Sequence, residues 1–229
     1  MNVKLAAVKI AKLLVLAGFG SLLLACSDPE AVTERSTSAA EQTQVSEQTI
    51  KFEQDVHYKL VENIDIEHAT PPLLVQYFWF GCQHCQQFEP VLEAIMLRRP
   101  ELSLVRKHAA SVSHWQTDAR IFYSLQQMGL EHLTEPLFAL YREKRQLTPV
   151  DLQQFLTTHQ VDQKMFFDIA ETSEQVVNKM RQSSSEMQTN GIRGVPALVV
   201  NGKYLITPTA EINSLEMYLA LIDYLQQKT

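Results

Sequence analysis

The sequence contains few cysteines, and their number limits what they can do. The 229 residues include only Cys26, Cys82 and Cys85. Three cysteines cannot supply the disulfide framework of a small secreted fold. Structural zinc needs four ligands, and neither a second cysteine pair nor histidines at metal-ligating spacing are present, so we expect no metal site. A disulfide between Cys82 and Cys85 closes too short a loop to stabilise the chain much, which favours a chemical role for this pair.

Clusters of basic residues are also missing. The formal net charge is −6, and without the only charges of residues 1–25, which are Lys4, Lys9 and Lys12, the balance is 17 basic against 26 acidic residues. An acidic chain with no Lys/Arg cluster argues against nucleic acid as a partner. With 45% hydrophobic and 20% charged residues, the composition is that of a globular protein with a sizeable core.

The apolar run that follows the three lysines is short. It covers residues 13–25, whereas a helix needs roughly 20 apolar residues to span a bilayer. A charged segment followed by such a run predicts a signal peptide over residues 1–25. Leu23-Leu-Ala-Cys26 resembles the bacterial lipobox, which implies that Cys26 is lipidated and anchors the chain as its first mature residue. The alternatives are a transmembrane helix, or plain secretion with Cys26 incidental.

Residues 26–52 are predicted to form a flexible tether. They are rich in Ser, Thr, Ala, Glu and Gln and contain almost no large apolar side chains. Such a segment cannot bury enough apolar surface to become ordered. It would hold the folded part of the chain tens of ångströms from a membrane, by random-coil scaling over about 25 residues.

The rest of the chain alternates between strand and helix patterns. Strands are predicted at residues 57–61, 73–80 and 102–108, and on either side of Asn201-Gly202, which is a type I′ hairpin signal. A helix that contains Pro90, and is predicted to kink there, joins the second and third strands into a βαβ unit. Amphipathic patterns predict an inserted helical subdomain over residues 112–187, and a last helix is predicted at 211–227.

The candidate chemistry lies at Cys82 and Cys85, directly after the strand predicted at residues 73–80. A helix is predicted over residues 86–98, and the N–H groups and dipole at a helix N-terminus favour a thiolate. Cys82 is therefore the predicted nucleophile, with a lowered pKa. Cys85 lies one helical turn further, close enough to form a disulfide, and is the predicted resolving thiol. His84 between them is predicted to stabilise the Cys82 thiolate.

Two segments carry a resemblance to a known family. Phe80-Gly-Cys-Gln-His-Cys85 and Gly194-Val-Pro-Ala-Leu-Val-Val-Asn-Gly-Lys203, with a helical insert between them, resemble the signature segments of DsbA-type thiol:disulfide oxidoreductases. The resemblance covers residues 53–229. It implies an α/β thioredoxin fold with an inserted helical subdomain, in which residues 53–111 and 188–229 form the two halves of the thioredoxin domain. The lipobox and tether resemble those of lipoprotein members of the family.

This resemblance implies further site residues. Pro196 matches the family's cis proline, and the backbone of Val195 is expected to pair with an extended substrate. Gln83 departs from the family, where proline is common: it keeps an N–H that proline lacks and loses the preset backbone angle of proline, so thiolate stability and the redox potential can change in either direction. Gln76 replaces a buried carboxylate thought to move protons at the resolving cysteine. Because Gln76 cannot titrate, we expect exchange at Cys85 to rely on water or on nearby side chains.

The resemblance implies that the disulfide of Cys82 and Cys85 oxidises cysteine pairs in unfolded exported proteins without any further cofactor. A DsbB-type membrane quinone protein would then reoxidise the pair. We expect a periplasmic monomer anchored to a bacterial membrane. The outer membrane is favoured under the lipoprotein sorting rule of enteric bacteria, because Ser27 rather than Asp follows Cys26. One alternative is a reductase or isomerase on the same fold. The isomerase is less favoured because an isomerase usually needs a dimerisation domain, and the segment predicted before residue 53 is a tether. Another is a redox-inert peptide-binding chaperone.

Overall fold

One five-stranded sheet forms the centre of the computed structural model, which describes residues 51–228. Its strands lie in the order β1-β5-β4-β2-β3. β2 pairs parallel with β3, and the other pairs are antiparallel. The strands are β1 (Tyr58–Leu60), β2 (Leu73–Phe78), β3 (Ser103–His108), β4 (Ala197–Val200) and β5 (Tyr204–Ile206).

The predicted signal peptide, the predicted lipid anchor Cys26 and most of the predicted tether lie outside the described residues. These interpretations of the sequence therefore stay predictions. Within residues 51–228, the structure contains no helix that is both long enough and apolar enough to span a membrane.

The central strand β2 is buried on both faces, since all six of its side chains are inaccessible to solvent. A run of apolar and aromatic residues, interrupted in β2 by Gln76, is typical of such a strand. β2 ends at Phe78, two residues earlier than predicted. The reason lies in its partner, because β3 ends at His108, which pairs with Phe78. Beyond this point the chain has no neighbouring strand to bond to, and it turns towards the cysteine pair.

The helix after β2 connects it to β3 and completes the predicted βαβ unit. This helix, α1, covers Gln83–Arg98 and contains Pro90. It begins three residues before the predicted start at residue 86. Cys82 explains the difference, because it has an extended backbone and its side chain accepts a hydrogen bond from the Cys85 N–H, as an N-cap residue does.

Five further helices and one 3₁₀ turn at Glu131–Leu133 lie between β3 and β4, where the sequence analysis places a helical insert. Their aromatic side chains pack with Phe78 and Phe80 into one core. The last of them ends at Thr189, two residues beyond the predicted end of the insert. The helices are α2 (Ser113–Gln127), α3 (Thr134–Lys144), α4 (Pro149–Thr158), α5 (Gln163–Thr172) and α6 (Glu174–Thr189).

A buried ion pair joins the insert to the sheet. The Nζ of Lys107 on β3 donates to both carboxylate oxygens of Glu186 on α6, each over 2.7 Å. The hydroxyl of Tyr77 on β2 donates to the same carboxylate over 2.5 Å. Burial, followed by the neighbouring Glu186, raises the pKa of Tyr77 and keeps the hydroxyl as a donor. Because a buried charge is tolerated only with such partners, this cluster specifies how α6 lies against the sheet.

The C-terminal part contains a hairpin and a final helix. Asn201 and Gly202 have φ angles of 52° and 68°, which confirms the predicted type I′ turn between β4 and β5. The last helix, α7 (Leu215–Gln226), starts later than the predicted residue 211. Ser214 caps it by accepting a hydrogen bond from the Met217 N–H, so the helix cannot begin earlier. Ile212 is buried although it precedes the helix.

Candidate active site

Cys82 lies at the junction where the chain leaves the sheet and enters α1. Its own N–H donates to the carbonyl of Trp79 over 3.0 Å. The Cys82 Sγ accepts a hydrogen bond from the Cys85 N–H over 3.3 Å. The sulfur therefore occupies the position of an N-cap side chain, where unpaired N–H groups and the positive end of the helix dipole favour a negative charge.

These surroundings lower the pKa of the Cys82 thiol to about 6. The largest cause is the hydrogen bond from the Cys85 thiol, which outweighs the opposing effect of partial burial. The backbone N–H groups of Cys85 and His84 add to this stabilisation, and the charge of His84 makes the last contribution. Cys82 is only partly buried, so the thiol with the lowered pKa is not enclosed by the core.

Cys85 has the opposite environment three residues later. Its side chain is fully buried, between α1 and the aromatic core of the insert. Burial raises the pKa of the Cys85 thiol far above its usual value, and the hydrogen bond to Cys82 and the charges of Cys82 and Glu89 raise it further. The Cys85 thiol therefore keeps its proton and donates it in a hydrogen bond to the Cys82 thiolate.

The two residues between the cysteines are exposed. Gln83 is the first residue of α1, and His84 lines a groove beside the cysteines. From its place between the cysteines, His84 is predicted to stabilise the Cys82 thiolate. In the structure His84 contributes through its N–H and its charge, but less than Cys85 does. How Gln83 tunes the pair stays a prediction.

The loop before β4 brings a distant part of the chain to Cys82. The Val195–Pro196 peptide bond is cis, as predicted. The carbonyl of Val195 accepts a hydrogen bond from the Cys82 thiol over 3.4 Å, across 113 positions of sequence. Val195 and Pro196 are both half-buried and line the same groove as His84. The structure thus brings together five residues that the sequence analysis selected: Cys82, Cys85, His84, Val195 and Pro196.

A buried polar network lies on the inner side of α1. Gln76 on β2 donates to Glu89 through its Nε2 over 2.7 Å. Arg106 on β3 donates to Gln76 Oε1 over 2.9 Å and to Glu89 Oε2 over 2.7 Å. Gln76 is therefore not an isolated replacement for an acid, because a carboxylate is present one helix turn after Cys85. Glu89 is not among the site residues predicted from the sequence, although its spacing of four residues from Cys85 on a helix places both on one face.

Trp79 packs behind the turn that carries Cys82. Its indole N–H donates to Asp118 on α2 over 2.7 Å, and its ring stacks on Trp115 with centroids 5.2 Å apart. The hydroxyl of Tyr141 donates to the other Asp118 oxygen over 2.5 Å. A Cβ on Gly81 would lie 2.4 Å from the Trp79 ring. This turn therefore requires glycine at position 81, and α2 holds the indole that creates the requirement.

An open groove of about 920 Å³ lies along the sheet and is lined near the cysteine pair by His84 and Val195. Its lining comes from α1, the loop before β4, β4, β5, β1 and α7. The lining includes His84 and Phe88 from α1, Val195 from the loop before β4, Leu198 from β4 and Tyr218 from α7. Because the groove is mostly apolar and adjoins the loop at Val195, it can hold an extended segment of another chain next to Cys82.

Within residues 51–228 no group of three or more His, Cys, Asp and Glu side chains is arranged to hold a metal ion. His108 illustrates a histidine with another use. It is fully buried, and burial lowers its pKa to about 3, so the ring is neutral. Nδ1 donates to the Ala109 carbonyl over 2.8 Å, and Nε2 accepts from the Phe80 N–H over 3.4 Å.

Comparison with known proteins identifies the family. The model of the DSBA-like thioredoxin domain matches residues 109–220. The thiol:disulfide interchange protein DsbA of Burkholderia cepacia is 33% identical over 156 residues, which cover 66% of this chain and 73% of that protein. The protein of the same name from Pseudomonas aeruginosa is 31% identical over 159 residues, which cover 68% of this chain and 74% of that protein. The chain belongs to the DsbA family.

Solved DsbA structures agree with this assignment. A variant of Pseudomonas aeruginosa DsbA superimposes with a TM-score of 0.67 at 27% identity, covering 78% of this chain and 98% of that chain. This match confirms the predicted α/β thioredoxin fold with its helical insert. As a DsbA-family protein, the chain is a thiol:disulfide oxidoreductase. The residues matched by the family model include Val195 and Pro196 but begin after Cys85.

Proposed function

We propose that Cys82 and Cys85 are the redox-active pair and that their disulfide oxidises cysteine pairs in exported proteins. One observation supports this proposal most strongly, namely the contrast between the two thiols. Cys82 is accessible and has a pKa of about 6, whereas Cys85 is buried and its pKa is raised. A pair in which one sulfur is stable as a thiolate and the other is protected is suited to forming and resolving mixed disulfides.

The proposed reaction has two exchange steps. A substrate thiolate attacks Cys82 Sγ in the disulfide, forms a mixed disulfide and releases Cys85, which takes up a proton because its pKa is raised. A second substrate thiolate then attacks the substrate sulfur of the mixed disulfide and releases the Cys82 thiolate. The substrate loses two electrons and two protons as its disulfide forms, and the protein gains both electrons. A leaving thiol of low pKa departs faster, so the Cys82 environment favours the second step.

The proton that Cys85 takes up needs a route, and Gln76 cannot supply one. We propose that water and Glu89 serve this step together. Glu89 follows Cys85 by one helical turn, and its charge acts on the Cys85 thiol. Gln76 and Arg106 hold the carboxylate in place from the two neighbouring strands. Gln76 then tunes the pair by positioning Glu89, while Gln83 tunes it from the exposed side.

Substrate is proposed to bind as an extended segment in the groove beside Cys82. The Val195 carbonyl, which lies 3.4 Å from the Cys82 sulfur, is the acceptor for its backbone. Pro196 cannot donate a hydrogen bond and leaves this edge to the substrate. Recognition through backbone and apolar contact suits unfolded chains of many sequences. The pair itself carries the electrons, so the reaction needs no bound cofactor.

The proposal includes a cellular setting. The protein acts in the periplasm as a monomer. A lipid on Cys26 anchors it to a bacterial membrane, and the outer membrane is favoured. A DsbB-type quinone-linked membrane protein reoxidises the cysteine pair. Cys26→Ser protein expressed in bacteria tests the anchor, because it should move from the membrane to the soluble fraction and lose incorporation of labelled fatty acid. Unchanged labelling of the Cys26→Ser protein would remove this part of the proposal.

The deciding experiment is the equilibrium of the purified protein with a series of glutathione buffers, read from the fraction of oxidised pair. A potential near that of DsbA, about −120 mV, is expected for an oxidase. A potential near that of thioredoxin, about −270 mV, would instead indicate a reductase. A chaperone without redox function would show no change in free thiols across the series. The Cys85→Ala protein serves as the control that cannot form the disulfide.

A further inference from the structure

The groove beside Cys82 carries positive charge but no acidic side chain. Its lining includes Lys59, Arg193 and His84, and none of its residues is Asp or Glu. The whole sequence has the opposite balance, with 26 acidic residues against 20 basic ones. A charged substrate segment in the groove therefore interacts with the local positive charge of the groove more than with the net negative charge of the protein.

The two permanent cations stand at different distances from the cysteine. Arg193 precedes Val195 by two residues, in the loop whose carbonyl contacts Cys82. Lys59 is on the edge strand β1, opposite Leu205 of β5, and β5 separates it from β4. Strands are spaced by about 4.8 Å, so Lys59 lies about 10 Å from β4 across the sheet, which is the length of about three extended residues.

Neither cation is neutralised by its own protein. Arg193 and Lys59 are both exposed, and neither takes part in an ion pair with any residue of the described range 51–228. The surface between them is largely apolar and includes Leu205 and Ile206. An apolar floor with free cations along it fits a segment that combines apolar side chains with carboxylates.

We infer that this groove selects substrate segments in which acidic residues flank the cysteine that reacts with Cys82. Arg193 contacts carboxylates next to that cysteine, and Lys59 contacts those about three residues further along the bound segment. The inference rests on the proposed function, since it assumes that substrate occupies the groove. Exposed ion pairs contribute little each, so we expect the two cations together to give a selectivity of about three- to tenfold.

The test measures how fast the oxidised full-length protein oxidises synthetic peptides with two cysteines. Three peptides are identical except for three residues beside the first cysteine, which are all Glu, all Gln or all Lys. Neighbouring charges change the reactivity of the peptide thiol itself. For that reason, each peptide's rate with a variant is divided by its rate with the wild-type protein. We expect the double variant Arg193→Gln/Lys59→Gln to lose about three- to tenfold in rate for the Glu peptide relative to the Gln peptide.

Matched variants separate groove charge from net charge. Lys164→Gln removes one exposed positive charge from α5, which does not line the groove, and its relative rates should equal those of the wild type. Arg193→Glu should reverse the preference in favour of the Lys peptide, and Arg193→Lys should restore the wild-type preference. Raising the salt concentration to 1 M should remove most of the discrimination of the wild-type protein.

The outcomes distinguish this inference from the function on which it depends. If all peptides are oxidised but the double variant keeps the wild-type ratios, the inference is wrong and the proposed function stands. Equal losses in Lys164→Gln and Arg193→Gln would also overturn it, because net charge would then explain the effect. If the wild-type protein oxidises none of the peptides, the proposed function fails, and the inference fails with it.

Discussion

The outer and inner sides of the first turn of α1 place the same functional group in opposite surroundings. On the outer side, Cys82 is partly exposed and receives hydrogen bonds from the helix start and from the Cys85 thiol. On the inner side, Cys85 is enclosed by the core and lies one turn from the carboxylate of Glu89. The pKa is lowered to about 6 on one side and raised strongly on the other.

This contrast shows that the Cys-x-x-Cys spacing alone does not determine the chemistry of either thiol. Both sulfurs are near the same helix N-terminus, and the dipole favours both thiolates. What separates them is burial, which penalises a charge on Cys85, and the direction of the hydrogen bond between them. The five predictions that follow test this difference, from the largest expected effect to the smallest.

Removing either sulfur should expose the division of roles. Cys82→Ser should reduce the oxidation of a dithiol peptide to the uncatalysed background, because the disulfide that the substrate thiolate attacks can no longer form. Cys85→Ser should keep the reactive Cys82 thiolate. On incubation with a peptide disulfide, this thiolate should attack one sulfur, release the other as a peptide thiol and accumulate as a mixed disulfide, because no Cys85 thiol remains to release the peptide. Mass spectrometry of the non-reduced protein distinguishes the two. An adduct on Cys85 in the Cys82→Ser protein, with none in Cys85→Ser, would reverse the assignment.

The thiolate of reduced Cys82 should appear with a midpoint near pH 6, measured by its absorbance at 240 nm. A free cysteine has a pKa of about 8.5, so roughly 30 times more thiolate is expected at pH 7 than in an unfolded chain. The folded pKa is below the unfolded one. The thiolate therefore stabilises the reduced protein fully above about pH 8.5, and this stabilisation is lost as the pH falls through 6.

Denaturation with urea at pH 5 and pH 8.5 tests the stability part of this prediction. The difference in free energy of unfolding between the reduced wild type and Cys82→Ala should be larger at pH 8.5 than at pH 5. Cys85 should contribute no second absorbance step below pH 9. A midpoint near 8.5 for Cys82, or two overlapping steps, would remove the contrast between the two sides.

The inner side can be perturbed through Glu89. Glu89→Gln leaves the guanidinium of Arg106 without its carboxylate and should lower the free energy of unfolding by about 1–3 kcal/mol. Glu93→Gln is the matched control, since it removes an exposed carboxylate from the same helix and should cost less than about 0.5 kcal/mol. Thermal or urea denaturation measures both. Equal losses in the two variants would show that the buried network adds nothing.

The same network allows the role of position 76 to be tested kinetically. Gln76→Glu introduces a second carboxylate next to Glu89, with only Arg106 to balance the two. If position 76 governs proton transfer at Cys85, the rate of disulfide release should change. An unchanged rate in Gln76→Glu would count against that role for the position and would leave water and Glu89 as the proton route.

The smallest effect is expected on the outer side at His84. Its charge makes the last of the contributions to the lowered pKa of Cys82. His84→Ala should therefore raise the Cys82 pKa slightly and slow alkylation by iodoacetamide at pH 6 by about fivefold or less. Both His84→Ala and the control His84→Gln keep the backbone N–H, and His84→Gln also keeps a polar side chain of similar size without the charge. A loss of a hundredfold would mean that His84, rather than Cys85, dominates the environment of Cys82.

Much of the fold was predictable because its signals are local. The buried run of β2 and the Asn201-Gly202 turn are each specified within a few residues, whereas the cis peptide before Pro196 was expected from the family resemblance. Errors arose at the ends of elements. β2 stops where β3 stops, and Ser214 delays the start of α7. The end of β2 depends on the length of its partner strand. The start of α7 is set by the Ser214 cap, although the apolar pattern of the helix already begins at Ile212.

The sequence by itself determined the family, the fold and the pair of cysteines, because strand runs, turn signals and the Cys-x-x-Cys motif are local patterns. Only the tertiary structure decided how the two thiols differ. The Val195 carbonyl reaches Cys82 across 113 positions, and Gln76 and Arg106 meet Glu89 from separate strands. Burial and hydrogen bonding are sums over such distant neighbours, so a pKa cannot be assigned until the chain has folded around the group.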